Sequence, residues 1–116
     1  MRLDRLYDAF RRRFGRWWIV PPGEDLEPSE EFTPLAPEQL ALLKPGDYAY
    51  LTFKGWPKGR IYDREHHWVR VTGINGNAVT GILASDPDDL PQLRPRQKIT
   101  FRRSDIIEFG PSMPDP

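Results

Sequence analysis

Apolar residues recur at three- and four-residue steps at the start of the chain: Leu3, Leu6, Tyr7, Phe10 and Phe14. Such spacing puts them on one face and predicts an amphipathic helix over residues 2–14. Arg2, Arg5, Arg12 and Arg13 fall mostly on other faces, and Gly15 follows as a stop signal. The pattern then dissolves. Pro21, Pro22, Gly23, Pro28 and Pro34 forbid a continuous helix or central strand across residues 19–36. Leu26, Phe32 and Leu35 are the side chains available to pin this connector to a domain. Pro37 and Glu38 suit the first turn of a short helix, with Leu40, Leu42 and Leu43 for contact. Lys44-Pro45-Gly46-Asp47 ends it in the residue order of a type II turn.

From Tyr48 the period changes from helical to two. Tyr48–Phe53 alternates, with Ala49, Leu51 and Phe53 on one face. His67–Ile74 and Asn77–Leu83 flank Asn75-Gly76, a strong hairpin signal. Lys98–Phe101 predicts a fourth strand, Ser104–Ile106 a helical turn capped by Ser104, and Ile107–Phe109 a closing strand. Leu43 to Tyr48 and Leu93 to Lys98 share leucine, a base and proline before a strand, which reads as one turn solution used twice.

With Asn75-Gly76 as a two-residue loop, Val69 opposes Ile82 and Val71 opposes Thr80 on one face. Trp68 opposes Leu83 and Thr72 opposes Val79 on the other. Both faces then carry apolar groups. One fills a barrel, and the other needs a cover that the N-terminal stripe can supply. The expected fold is mainly β with α additions. It is a small SH3-like antiparallel barrel of about five strands with the N-terminal helix packed on it. A plain curved antiparallel sheet is the alternative. The chain divides into a helical unit at 1–18, a Pro-rich acidic connector at 19–36, the barrel at 37–110 and a disordered tail at 111–116.

Composition narrows the function. A chain of 116 residues suits one domain. Its 17 basic and 17 acidic residues cancel, which argues against a protein dominated by nucleic-acid binding but not against a local basic patch. Residues 1–18 hold six arginines against Asp4 and Asp8, so the remainder is acidic by the same margin. No cysteine is present, which removes disulfides, thiolate zinc sites and cysteine nucleophiles and fits a reducing compartment. No apolar run is long enough to span a membrane or to act as a signal peptide. The expectation is a soluble, cytoplasmic protein.

Catalytic constellations are not evident, and no enzymatic activity, metal or cofactor is expected. His66 and His67 are adjacent, so on a strand they point to opposite faces and read as two surface or rim histidines. Ser29, Ser85, Ser104 and Ser112 sit beside turn residues, without an elbow or triad spacing. Asp86, Asp88 and Asp89 lack the glycine and distal glutamate of a calcium loop. Two regions remain as binding candidates. In the first, Lys54, Lys58, Arg60 and Arg64 interleave with Trp56 and Tyr62, and Arg102 and Arg103 could extend the patch. Cations beside stacking rings suit single-stranded nucleic acid, and the same residue types dominate protein hot spots. Equally, the aromatics could simply pin a long loop. In the second region, Arg11, Arg12, Arg13, Trp17 and Trp18 offer contact to a partner protein or to a membrane surface.

The strand region resembles the bacterial domain-of-unknown-function 2314 family (DUF2314) over residues 43–109. The resemblance rests on Pro45-Gly46-Asp47 before the first strand, Trp68-Val69 and Val71, and Ile74-Asn75-Gly76. Thr80-Gly81 with Leu83, and Phe101 with Ser104-Asp105-Ile106, complete it. Where such families often carry a second Gly-Asp turn, this chain has Arg96-Gln97. The resemblance implies a small barrel scaffold and assigns no activity. The expected function is a non-enzymatic protein-binding module, of the kind that inhibits a partner or confers immunity. A nucleic-acid-binding module is the alternative, and peripheral membrane attachment through the helix is a third reading.

Overall fold

The computed structural model describes residues 3–23, 33–57, 64–87 and 90–113. Helix α1 (Leu3–Phe14) is followed by β1 (Arg16–Val20), a one-turn helix α2 (Pro37–Leu40), β2 (Tyr48–Trp56), β3 (Arg64–Asn75) and β4 (Ala78–Leu83). Strand β5 (Lys98–Arg102), a 3-10 turn (Arg103–Asp105) and β6 (Glu108–Gly110) complete the chain. All pairings are antiparallel, in the order β1-β2-β3-β4-β5, and β6 pairs with the first residues of β2. Because β3 takes one edge of β2, β6 and β1 share the other. A flat sheet would put β5 and β6 about 19 Å apart, four strand spacings. The short link between them, half of it a tight turn, cannot span that distance flat. The sheet therefore curls into a half-barrel.

Alternation supplies the core. Ala49, Leu51 and Phe53 of β2, Val69 and Val71 of β3, Val79 and Leu83 of β4, and Ile99 and Phe101 of β5 are all buried on the concave side. Leu43, Leu90, Leu93 and Ile106 from the connecting segments close that side, and Leu35 packs against the same cluster. Leu26 and Phe32 lie outside the described residues, as does the end of the tail.

The hairpin differs from the expected register, and the difference decides what each face carries. Asn75 pairs with Ala78, so the loop residues are Gly76 and Asn77, not Asn75 and Gly76. Gly76 takes positive φ (62°) and Asn77 does not, the pattern of a loop that wants glycine at its first position. A bulge at Thr72 then shifts the ladder again, so that Val69 faces Leu83 and Val71 faces Gly81. Together these shifts gather Val69, Val71, Ile74, Val79 and Leu83 on the core side. The apolar second face built from Trp68, Val79 and Leu83 does not exist. Gly81 is required by proximity, since a Cβ there would stand 2.5 Å from the Arg70 carbonyl oxygen and from Val69 Cγ1.

Consequently α1 has no hairpin patch to cover; the side chain of Leu3 lies outside the described residues, and the rest of the stripe is uncovered. Leu6, Tyr7, Phe10 and Phe14 are all exposed, Phe14 at 62%. The expected burial of this stripe is not found. The sequence pattern also predicts no strand after the helix, yet Arg16–Val20 runs along β2 from Trp56 to Thr52. Trp17 and Ile19 pack against the core, Arg16 and Trp18 are exposed on the other side, and Val20 at the strand's end is buried.

The two proline turns do share one solution. The Asp47 amide donates to the Lys44 carbonyl (3.1 Å), and Gln97 donates to Arg94 (3.1 Å). In the first, the buried Asp47 carboxylate accepts from the Lys44 amide and from its Nζ, both at 3.0 Å. In the second, Arg96 occupies the place of Gly46 at φ 58°. At the last turn, the cap is Asp105 and not Ser104: the Asp105 carboxylate accepts the Arg102 amide at 2.8 Å, and Ser104 is exposed.

Candidate functional site

The convex face of the sheet is assembled by the same alternation that fills the core. On β2 the positions opposite the core residues are Tyr48, Tyr50, Thr52, Lys54 and Trp56, of which Trp56 is exposed and Thr52 buried. Their cross-strand partners extend rows across the sheet. Arg16 faces Trp56, and its guanidinium lies 5.7 Å from the ring centroid. Trp18 faces Lys54, which in turn faces Arg64. His66 faces Thr52, and its Nδ1 is hydrogen-bonded to Thr52 Oγ1 at 2.9 Å. Trp68 faces Tyr50 with ring centroids 4.7 Å apart, and His66 stacks on the same tyrosine at 5.5 Å. Arg70 and Ile82 continue to Lys98 in the next row. Trp18 and Trp56 are exposed at 44% and 51%. Burial and the proximity of His67 and Arg64 hold His66 below the ordinary histidine value. Burial and the nearby Glu108 carboxylate push Tyr50 above the ordinary tyrosine value.

Of the residues picked out by sequence, Lys54, Trp56 and Arg64 converge on this face, and Trp18 joins them. Lys58, Arg60 and Tyr62 lie outside the described residues. Arg102 sits on β5 at the opposite corner of the sheet, paired with Ala78. Arg103 is a structural pin: Nε donates to the Gly76 carbonyl (2.9 Å) and Nη1 to the Leu40 carbonyl (2.5 Å). It borders an open apolar depression of about 420 Å³ lined also by Pro37, Leu40 and Ala41. Trp17 faces inward, 5.8 Å from the Phe53 ring, and is not a surface contact. Arg11 is likewise buried (1% exposed), its guanidinium 4.7 Å from the Tyr7 ring. Arg12 and Arg13 are exposed, and Arg13 lies over Phe14, which itself contacts Phe10 at 5.3 Å. Sequence reasoning missed Arg16, Tyr50, His66, Trp68 and Arg70. Their signal was alternation out of phase with the core positions of the same strands.

One polar cluster lies on the inner side. His67 is buried rather than at the rim. Its Nδ1 meets Ser85 Oγ at 2.9 Å and its Nε2 meets Glu65 at 2.5 Å. Ser85 Oγ also accepts the Trp68 amide at 2.9 Å. An amide donating to the serine, the serine to Nδ1, and Nε2–H to the carboxylate form a closed chain that satisfies a buried imidazole. This arrangement anchors the segment after β4 to β3. Among the described residues, no three His, Asp or Glu side chains gather as a metal-binding group. No helix among them is long and apolar enough to cross a membrane. No family model matches the chain, and neither does any curated protein or solved structure.

Proposed function

We propose that the chain is a non-enzymatic protein-binding module of the cytoplasm, acting as an inhibitor or immunity-type partner, whose target docks on α1. The observation that carries this reading is the exposure of Leu6, Tyr7, Phe10 and Phe14 along α1. Burying such side chains contributes about 1.5–3 kcal/mol each when complete, and a partner groove recovers what the fold leaves in water. Exposed Arg12 and Arg13 beside the stripe call for an apolar groove with an acidic rim, the helix-in-groove mode.

The scaffold under this helix is, in the same proposal, a small SH3-like barrel of the domain-of-unknown-function 2314 type. Its curled six-stranded antiparallel sheet and the 3-10 turn before the last strand support that reading. The residues that carry the resemblance do structural work here: Asp47 closes a turn, Gly81 permits close strand approach, and Asp105 caps the last turn. Recognition of the protein partner then falls to the extension outside residues 43–109.

The test is affinity capture from the cells of origin, comparing the full chain with the F10E/F14E double variant, followed by binding of the purified pair. A partner should be held by the full chain and lose at least tenfold in affinity with the variant. Capture of the same proteins by both forms would sink the reading. So would flotation of the full chain with anionic phosphatidylserine vesicles and no protein partner, which would assign the stripe to a membrane.

A further inference from the structure

We propose that the convex face of β1–β3 binds single-stranded nucleic acid, at a surface distinct from the α1 stripe and independent of the reading above. Each exposed tryptophan stands beside a cation on the neighbouring strand, Trp56 with Arg16 and Trp18 with Lys54. Single strands need this combination, because every base presents a π-face to stack and every linkage a negative charge. The rings also form a track. Outward residues along one strand are about 7 Å apart, two residues of rise, comparable to the step between bases in an extended single strand. Trp56, the row of Lys54 and Trp18, the row of Thr52 and His66, and the row of Tyr50 and Trp68 succeed one another at such steps, with Trp18 on β1 and His66 and Trp68 across β2 on β3.

Charge sign agrees. Among outward-facing residues of the described strands, Glu108 is the one acid, whereas each of the five long strands contributes at least one cation except β4. On the described strands, then, the outward positions carry more bases than acids although the whole chain has zero net charge. A duplex offers the phosphates but keeps its base faces stacked, so the tryptophans have nothing to grip. Stacking is indifferent to the sugar, so DNA and RNA single strands bind alike.

Fluorescence anisotropy of labelled oligothymidylate and oligouridylate with the full chain tests this. Both should bind at low salt and weaken steeply as salt rises. W18A should cost about tenfold, the loss of one stacked base. R16A, an exposed change that leaves the core untouched, should weaken binding and flatten the salt dependence. The F10E/F14E variant should bind as the parent does, which keeps this test separate from that of the helix. Absence of binding at low salt overturns the proposal. So does equal affinity for duplex DNA, or equally effective displacement by polyglutamate, since an acidic protein surface would then be the better ligand. Circular dichroism of W18A separates lost binding from lost folding, and R16A then decides alone.

Discussion

Arg96 shows how a single residue can depart from the turn that surrounds it. It sits at φ 58° where the equivalent turn has Gly46 at φ 96°. Left-handed backbone costs a side-chain-bearing residue of order 1–3 kcal/mol, while glycine gives back about 0.4–1 kcal/mol through its freer unfolded chain. The Arg96→Gly variant is therefore expected to be more stable by about 0.5–1 kcal/mol, read as a higher midpoint in urea with an unchanged m-value. His66 yields a second residue-scale expectation. Its folded value is depressed, so between its unfolded value near 6.5 and the lower folded one the unfolded chain binds more protons. Stability carries no penalty from this group above about pH 6.5. The penalty grows as pH falls and is complete below the folded value. Replacing His66 by Gln should flatten the stability profile across that acid window, and an unchanged slope would refute the assignment.

At the scale of elements, local chemistry was easier to read than long-range choice. The Lys44–Asp47 turn, the alternation of β2 and the position of the hairpin follow from residues within a few positions of each other. The register of that hairpin does not. It turned on which residue beside Gly76 entered the loop and on a bulge at Thr72, and a one-residue slip moves every side chain to the other face. The convex face was misread for that reason, and the polar link of His67 to Ser85 joins residues 18 apart in sequence. Strand β1 was hidden differently. Its five residues include two adjacent tryptophans and end at prolines, so they look adhesive before they look alternating. Its pairing with β2 gives truncation a specific outcome. A chain lacking residues 1–14 should retain a cooperative thermal transition. Removal of residues 1–20 leaves the Thr52–Trp56 edge open and Phe53 without Trp17, and should lower the midpoint sharply and promote aggregation. Equal midpoints for the two forms would show that β1 adds nothing to the sheet.

For the molecule as a whole, the fold separates two kinds of surface by physical character. The α1 stripe is apolar with a thin cationic border. The convex sheet face is cationic with embedded rings. Their ligands should consequently respond to salt in opposite ways. Phosphate contacts release counterions, so oligonucleotide affinity falls linearly with the logarithm of salt. Burial of the stripe is not screened, and an excluded salt such as sulfate strengthens it. Measured in the same buffers, oligothymidylate binding should decline steeply from low to physiological salt, while the captured partner's affinity changes little and rises in sulfate. If both affinities fall in parallel, a single polyanion-binding face serves both ligands. The exposed stripe is then a local feature of α1, and the division between helix and sheet does not hold.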